Sequence, residues 1–392
     1  MNLFKNFFRN KLFKIGMVGI AILGFILTIA FMGPTIKSTP QDLPVAIVVN
    51  DKGIDQNNKE HVNYGEQITN KLTQNEELPI NWVFIESREK AIEEMNGKEY
   101  YATIVLPENL SLHLASISSE NPQQAKIEVI INEGKNYQAA NITRQLINDE
   151  LEKINELFQN NLLKQLENRN EELTISQVKL LTKPFNVENK VINQVGHNTA
   201  NGNITGMFPQ ILWLITFLGS MLLFIILRKA TKGNITFGSI VTKLIAGVIF
   251  STIASLIITL IATYVLDVSI INLPQTFFFL LFTGYMFFLL QNAVLNWLGF
   301  KGAPLILLLF FFSLPILSMA PELMSTVTYK GIYVWNPMLH SVEVFRSIYF
   351  FDGYGVWNHF GILAIIGVIS LLLLFLSTVK SKKNGKNIIQ VR

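Results

Sequence analysis

Six stretches of this chain contain no Lys, Arg, Asp or Glu, and this feature constrains the fold most. They occupy residues 16–33, 207–227, 244–266, 276–290, 304–320 and 361–379. With the uncharged flanks of the fourth stretch included, each supplies the roughly 17–25 residues that a helix needs to cross about 30 Å of hydrocarbon. Half of all residues are hydrophobic and 15% are charged, which is typical of a membrane protein. The sequence therefore predicts a membrane α-helical protein with six transmembrane helices.

The chain divides into segments around these six helices, with an extracytoplasmic α/β domain inserted between helices 1 and 2. We expect the following order: a cytoplasmic amphipathic interfacial helix at 1–14, transmembrane helix 1 at 15–33, the extracytoplasmic α/β domain with a long helical stalk at 34–206, transmembrane helix 2 at 207–228, a cytoplasmic loop at 229–243, transmembrane helices 3, 4 and 5 at 244–267, 272–298 and 303–320, an outer loop with a re-entrant or interfacial helix at 321–358, transmembrane helix 6 at 359–379, and a basic cytoplasmic tail at 380–392.

The N-terminal segment has two parts, a basic stretch at 1–14 and the apolar stretch after it, and each can be interpreted in two ways. Residues 1–14 form either an interfacial helix, with Leu3, Phe4, Phe7, Phe8 and Leu12 on one face, or an ordinary basic flank. The apolar stretch after it ends in FMGPT, which lacks the small-residue pattern of a signal-peptide cleavage site. We therefore expect a retained membrane anchor.

The distribution of charge predicts the orientation. Fourteen of the 32 Lys and Arg residues fall on the side that holds both termini, and none of the 28 Asp and Glu residues does. Because Lys and Arg near the spans are retained on the cytoplasmic side, both termini are predicted to be cytoplasmic and the large domain extracellular in a multi-pass protein of the cell (plasma) membrane. The net positive charge is thus the sum of a basic cytoplasmic side and an acidic extracellular side. It predicts no nucleic-acid partner.

Residues 34–206 show the pattern of a small α/β layer. Strand-like runs occur at 45–50, 80–85, 100–106 and 125–132, and stretches with helical periodicity lie between them. Alternating strands and helices favour an α/β fold with a mixed sheet. A long helix follows from about residue 136, with an apolar face that we assign to Leu146, Leu151, Ile154, Leu157, Phe158 and Leu162.

Three fragments of this domain resemble one family. They are DLPVAIVVNDKG at 42–53, SREKAIEEMNGKEYYATIVLPENLSLHLAS at 87–116 and INEGKNYQAANI at 131–142. In this order, between one N-terminal span and five C-terminal spans, they resemble an ABC-2-type transporter permease, closest to the YhgE/Pip (phage infection protein)-like group. The residues that match are Asn50, Asp51, Gly53, Gly97, Tyr101, Ala102, Val105 and Pro107. Each also suits a local structural role, in a turn or at a helix start.

The resemblance implies how such a chain works. ABC-2 permeases act with a separate ABC ATPase subunit, as a homodimer or as a heterodimer with a sibling permease. The sequence agrees in two respects: it contains no GxxxxGK[ST] loop for nucleotide phosphates, and none of the six apolar stretches holds an ionisable residue that could carry a coupled proton. We therefore expect ATP and Mg on the partner subunit and no cofactor, metal or catalytic residue in this chain.

The segment 227–247 departs from the family pattern. Many such permeases carry an acidic Glu-Arg-Glu-type run after the second span, where they meet the ATPase, whereas this segment contains no acid. Arg228, Lys229, Lys232 and Lys243 are the candidate ATPase-coupling surface, and the alternative is that they are ordinary cytoplasmic flanks.

Uncharged polar residues mark two of the spans. Ser251, Ser255, Thr259 and Thr263 repeat every fourth residue, and Gln291, Asn292 and Asn296 lie close together in the next span. Such residues promote helix–helix packing, and lining a path for an amphiphile or a dimer seam is the alternative.

The outer loop carries the sequence NPMLHSVEVFRSIYFFD at 336–352. Asn336 suits an N-cap, Pro337 a first helical residue, and Glu343 and Arg346 are spaced to form an ion pair. The apolar face comprises Met338, Val342, Phe345 and Tyr349. In ABC-2 permeases a similar segment precedes the last span in a re-entrant hairpin, so we expect an outer gate helix here.

The sequence favours a permease subunit that exports lipophilic or amphiphilic small molecules or peptides from the bilayer. The alternative is a non-transporting envelope protein, such as a phage receptor or membrane scaffold. An enzyme is disfavoured, because the chain contains no Cys and its five His residues form no metal-binding or catalytic motif.

Overall fold

The computed structural model describes residues 11–32, 39–55, 61–167 and 174–389, and these form two compact units. The α/β unit comprises the described residues of Pro40–Gly196 together with Phe350–Tyr354. The helical unit comprises those of Met1–Thr39, His197–Tyr349 and Gly355–Arg392. Most of the predicted interfacial helix at 1–14 lies outside the described residues.

The first helix, α1 (Lys11–Met32), belongs to the helical unit, and the elements of the α/β unit follow it. They are β1 (Leu43–Val49), β2 (Ile54–Asp55), β3 (His61–Val62), α2 (Tyr64–Thr73), β4 (Ile80–Phe84), α3 (Arg88–Asn96), β5 (Ala102–Leu106), α4 (Leu110–Ser116), β6 (Ala125–Asn132), α5 (Tyr137–Glu167), α6 (Ile175–Thr182) and β7 (Phe185–Ile192). The four predicted strands, the helices between them and the long helix are all present.

The strands form a mixed five-stranded sheet in the order β4-β1-β5-β6-β7. β1 runs parallel to β4 and β5, β5 runs antiparallel to β6, and β6 runs parallel to β7. β5 is buried throughout, as expected for a central strand that is covered on both faces. On one face, Ala46 and Val48 of β1 pack with Ala91 and Met95 of α3. β2 and β3 form a separate antiparallel pair.

Asp51, immediately after β1, holds two helix starts together. Its carboxylate accepts hydrogen bonds from the backbone N–H of Gly65 at 2.9 Å and of Ser111 at 3.0 Å, and from the Ser111 hydroxyl. These donors lie in the first turns of α2 and α4, where backbone N–H groups lack partners within the helix. A Cβ on Gly65 would lie 2.7 Å from the Asp51 Cβ. The Asp51 match is therefore explained by a structural role, the capping of two helices.

Two local predictions in this unit differ from the structure. α4 begins at Leu110, so Pro107 lies in the turn before the helix and not in its first turn. On α5, Leu151, Ile154, Phe158 and Leu162 are buried, whereas Leu157 is 46% exposed. Leu157 lies beside the buried stripe, since each residue turns about 100° around a helix.

The helical unit contains the remaining elements. They are α7 (Ile204–Ala230), α8 (Phe237–Leu260) continued by a π-helical turn (Ile261–Val265), α9 (Leu273–Leu298), a 3₁₀ turn (Gly299–Lys301), α10 (Gly302–Ile316), a second 3₁₀ turn (Pro321–Leu323), α11 (Thr326–Thr328) continued by a π-helical turn (Tyr329–Tyr333), α12 (Pro337–Phe350) and α13 (Val356–Ile389).

Within the described residues, four helical stretches are long and apolar enough to cross a membrane. They are Ile204–Ala230, Phe237–Val265, Leu273–Ile316 and Val356–Val379. The apolar part of α1 is shorter, at Met17–Ile26. The third stretch, of 44 residues, contains nearly all of the fourth predicted span and most of the fifth.

Trp213 of α7 shows that this long stretch is folded back. Its indole N–H donates to the Ile306 carbonyl at 3.2 Å, and its own carbonyl accepts from the Gln291 side chain at 2.9 Å. In one straight helix, residues 291 and 306 would be about 22 Å apart. The chain therefore reverses at the 3₁₀ turn, where Gly299 has φ +64°, and α9 and α10 both pack against α7.

α8 starts earlier than the sequence predicted. The Thr236 hydroxyl and the Ser239 side chain form reciprocal hydrogen bonds with backbone N–H groups, which is a capping-box arrangement that begins the helix at Phe237. The connection between α7 and α8 is therefore short, at 231–236, and Lys243 lies inside α8.

α8 and α9 approach closely through glycine. A Cβ on Gly247 of α8 would collide with the ring of Phe288, which is fully buried on α9. A Cβ on Gly284 of α9 would lie 3.2 Å from Leu212 and 3.6 Å from Ser251. Small residues allow helices to approach in this way in membranes.

Glu128 of β6 makes the α/β unit sensitive to acid. Arg88 donates two hydrogen bonds to its carboxylate, at 2.7 and 2.9 Å, and the Lys190 ammonium lies 2.8 Å away. The Arg88 hydrogen bonds, followed by those from Lys190, lower the pKa of Glu128 to about 2. Its contribution to stability is therefore complete above an unfolded pKa of about 4.5 and is lost as the pH falls toward 2.

We expect Glu128→Gln to lower the free energy of unfolding near neutral pH by about 1–2 kcal/mol, a value discounted because Arg88 is partly solvated. Hydrogen exchange of the β6 peptide in the full chain measures it, with variant and wild type compared at equal pH. The difference should shrink as the pH approaches about 3. Glu188→Gln, which removes a more exposed carboxylate pairing with Lys126 on the same two strands, should have little effect. Equal effects of the two variants would contradict the assignment.

A matched pair of glycine variants tests the α8–α9 contact. Gly247→Ala should destabilise the helical unit by about 1–3 kcal/mol, since the added methyl group meets a ring that has no room to move. Gly238→Ala, in the same helix but with open space around the new methyl group, should be neutral or slightly stabilising. Thermal unfolding in one detergent compares them. A Gly247→Ala protein as stable as Gly238→Ala would show that the close approach is absent.

Candidate functional site

A buried polar core connects the central helices of the helical unit. The Gln291 amide donates to the Trp213 carbonyl at 2.9 Å, and the Asn292 amide donates to the Ser220 hydroxyl at 2.7 Å and to the Phe288 carbonyl at 2.9 Å. Gln291, Asn292 and Ser220 are all fully buried. Two of the predicted polar residues of the fourth span therefore bond to α7.

Asn296 extends this core to two more helices. Its side-chain oxygen accepts from the Lys243 ammonium on α8 at 2.5 Å, and its amide donates to the Ser377 hydroxyl on α13 at 3.1 Å. Lys243 is only 4% exposed. Arg228, Lys229 and Lys232 are exposed, so Lys243 differs in burial from the other three members of the candidate coupling surface.

A pocket of about 160 Å³, which we call the basic pocket, lies beside Lys243. Its lining residues come from α7, the connection after it, α8, α9 and the turn after α9: Phe224, Leu227, Arg228, Thr231, Gly233, Asn234, Ile235, Ser239, Lys243, Leu295, Asn296 and Gly299. The Lys243 ammonium lies 5.6 Å and the Arg228 guanidinium 5.8 Å from the centre of the Phe224 ring. Both cations thus lie close to the Phe224 ring, whose π electrons attract positive charge.

The hydroxyl stripe of α8 faces the protein interior. Ser251, Ser255 and Thr259 are at most 4% exposed, and Thr263 is half-buried. The Ser255 hydroxyl donates to the Ser251 carbonyl at 2.7 Å. Among the described residues, the hydroxyls of Ser251, Thr259 and Thr263 have no hydrogen-bond partner. The position of Ser251 opposite Gly284 supports the helix-packing interpretation of the stripe.

α12 is the predicted outer helix, and its start has the expected cap. The Asn336 side-chain oxygen accepts from the Met338 backbone N–H at 3.0 Å, and Pro337 is the first helical residue. The Asn336 amide also donates to the Ser313 hydroxyl of α10 at 2.5 Å. The cap residue therefore also connects α12 to a neighbouring helix.

α12 is more deeply buried than an interfacial helix would be. The predicted apolar face is covered, and residues of the opposite face, including Ser341, Val344 and Ser347, are fully buried as well. The amphipathic pattern predicted burial of the apolar face only. It missed the serine residues, because a short hydroxyl side chain that bonds to the backbone of its own helix can be buried at low cost. The helix is therefore enclosed by protein on several sides.

Glu343 and Arg346 form the predicted ion pair on α12. Each side chain is 12% exposed. At this burial, one charge left without the other would be costly. The pair therefore makes this helix sensitive to changes in the charge of either member.

Sequence reasoning missed several partners in these sites. Ser220 and Ser377 are hydroxyl residues inside apolar stretches that also contain Thr216, Ser370 and Thr378, so the sequence did not distinguish them from their neighbours. His340 and His359 lie with their Nδ1 atoms 3.1 Å apart, on α12 and α13. Nineteen residues separate them in sequence, so no motif indicated this contact. Within the described parts of the chain, no group of three or more potential metal ligands is found.

Comparison with known proteins identifies the family. The model of a family described as "ABC-2 family transporter protein" matches residues 13–376. The chain is 26% identical over 109 residues to the uncharacterized protein YhgE of Bacillus subtilis (strain 168), a match that covers 28% of this chain and 14% of that protein. The chain thus matches only a small part of that relative.

A crystallised domain of a protein described as an ABC type-2 transporter, from Thermotoga maritima MSB8, is also similar. It shares 19% sequence identity, with 38% of this chain and 84% of that domain covered, and the TM-score is 0.28. At this score the likeness carries no argument, whereas the family model covers nearly the whole chain. The resemblance noted in the sequence is therefore confirmed, and the chain is a membrane protein that belongs to the ABC-2 family of transporter proteins.

Proposed function

We propose that this chain is the permease subunit of an ATP-driven exporter of lipophilic or amphiphilic compounds. The observation that carries the proposal is the family match over residues 13–376, on a chain with long apolar helices and an α/β unit. Members of this family are membrane subunits, so hydrolysis takes place on a partner ATPase, which binds ATP and Mg. Two permease subunits, identical or related, complete the transporter.

The proposed topology has six spans, with both termini cytoplasmic and the α/β unit outside the cell. The reversal at Gly299–Lys301 supports it, because it divides the 44-residue stretch into two helices. The basic residues support the orientation, since Arg228, Lys232 and Lys301 then lie on the cytoplasmic side. The same topology places α12 on the outer side.

The polarity of the chain supports a lipophilic or amphiphilic cargo. The six apolar stretches contain no acid, so a cationic cargo would find no counter-charge there. Many apolar side chains on the outer surfaces of α7, α8 and α13 are exposed in the chain itself, including Leu218, Ile245 and Ile365 at 67%, 60% and 59%. These are the surfaces that lipid covers, and an amphiphile dissolved in the bilayer reaches the protein through them.

Purification in mild detergent tests the proposal. An ABC ATPase should be recovered with the chain, and transport should stop when the Walker lysine of that ATPase is replaced. Resistance to an exported compound that persists in cells lacking every such ATPase would contradict it. Loss of phage adsorption on deletion of residues 40–200, with efflux unchanged, would favour the surface-receptor alternative.

The exposed cations after α7 give a second test. Lys229→Glu with Lys232→Glu should reduce the amount of ATPase recovered and should lower ATP-dependent transport by about tenfold, since a docking surface loses both charge and complementarity. Lys330→Glu, an exposed lysine on the proposed outer side, is the control and should retain both. Equal recovery of ATPase with all proteins would remove these lysines from the docking surface.

The ion pair of α12 gives a third test. Glu343→Gln removes the carboxylate that pairs with the mostly buried Arg346 and should lower stability by about 2–4 kcal/mol, with a matching loss of transport. The exchange Glu343→Arg with Arg346→Glu restores a pair at the same spacing and should recover part of both. Thermal unfolding and transport assays on one set of preparations measure the effects. A double variant as impaired as the single one would show that the pairing itself is unimportant.

A further inference from the structure

We infer that the basic pocket binds the phosphate group of an anionic membrane lipid. The ammonium of Lys243 and the guanidinium of Arg228 provide the charge, and the apolar side chains around them provide contact for the rest of the lipid. The inference depends on the membrane location of the helices and is independent of the direction of transport and of the cargo.

The burial of Lys243 is the first argument. An ammonium withdrawn from water is stable only when another group replaces the lost hydration. Within the described residues, the hydrogen bond of Lys243 goes to the neutral amide oxygen of Asn296, and its ring contact is with Phe224. No carboxylate of the described chain pairs with it. The charge of Lys243 therefore remains unbalanced, and an anion is the complementary ligand.

Arg228 is the second argument. It lines the same pocket, lies over the rings of both Phe224 and Phe300, at 5.8 and 6.0 Å, and is exposed. A planar guanidinium held against aromatic faces presents a fixed set of donors, which suits phosphate oxygens. The described lining contains these two cations and no acid.

The apolar walls favour a lipid over a free anion. Phe224, Leu227 and Leu295 line the pocket, and Phe300, whose ring centre lies 5.1 Å from that of Phe224, is 51% exposed. Aromatic side chains and cations at the end of a span are typical of the level of lipid head groups. A lipid phosphate brings acyl chains that cover such side chains, whereas inorganic phosphate leaves them in water.

Lipid titration of the detergent-solubilised full chain tests the inference. Short-chain phosphatidylglycerol should raise the unfolding temperature more than phosphatidylcholine does, and native mass spectrometry should detect it bound. Arg228→Gln and Lys243→Gln should each weaken the phosphatidylglycerol effect by about tenfold, the usual consequence of losing one charged hydrogen bond. Because Arg228 is exposed, its variant tests the site even if the Lys243 variant folds poorly.

Lys301→Gln is the matched control. Lys301 is an exposed lysine in the turn after α9 and does not line the pocket. It should retain the full phosphatidylglycerol effect. Equal shifts with both lipids, or an equal loss in Arg228→Gln and Lys301→Gln, would overturn the inference, since either result indicates general surface charge.

Two further measurements distinguish the source of the anion. If inorganic phosphate alone reproduces the shift and removes the response to phosphatidylglycerol, the ligand is a free anion and the lipid assignment is wrong. If Arg228→Gln abolishes recovery of the ATPase while its phosphatidylglycerol response equals that of the wild type, a carboxylate of the partner is the ligand instead. Lipid selectivity lost in both pocket variants of the purified chain, measured with no ATPase present, supports the inference and separates it from the proposed function.

Discussion

The interior of a bilayer offers no hydrogen-bond partners, so polar groups on membrane helices must find partners within the protein. This constraint determines how the helical unit is packed. Gln291, Asn292 and Asn296 lie within two helical turns along α9, and they bond to α7, α8 and α13. Trp213 adds α10 through its indole N–H. One short stretch of α9 is therefore bonded to a set of neighbours whose relative positions it fixes.

The same constraint explains where charge is found. Ionised groups are absent from the six apolar stretches of the sequence, and the buried charges lie beyond them. Lys243 lies near the start of α8, where Asn296 is its partner, and Glu343 pairs with Arg346 on α12. The six apolar stretches therefore offer no carboxylate for proton coupling. Its membership of a family of ATP-driven transporters agrees with this composition, since the energy then comes from another subunit.

Patterns that extend over a whole strand or helix predicted much of the fold. Features that depend on one or two residues were predicted less well. Short apolar, strand-like runs identified β1, β4, β5 and β6, and the apolar repeat identified α5. β7 was missed because four of the eight residues of FNVENKVI are polar, and three of these are consecutive at 188–190, so this edge strand shows neither an apolar run nor a regular alternation. Hydropathy also did not indicate that α8 begins at Phe237, since it cannot register the cap made by Thr236 and Ser239.

The sequence identified many residues of the candidate sites, but it did not identify their partners on other helices. The contacts within α12 were predictable from spacing, because Asn336, Pro337, Glu343 and Arg346 make them within one or two helical turns. The contacts of Lys243 with Asn296 and of Asn336 with Ser313 join different helices, and nothing in a single sequence specifies them. The basic pocket is a product of such contacts, with Arg228 and Lys243 brought to one aromatic ring by the packing of α7 on α8.

The central claim is that this chain moves solutes only with energy supplied by a partner ATPase. The most direct measurement is transport by the purified polypeptide in sealed vesicles, first with an ion gradient alone and then with the ATPase and ATP added. The account predicts no transport with the gradient alone and transport in the second case. Accumulation of a solute driven by the ion gradient, with no other protein present, would contradict it.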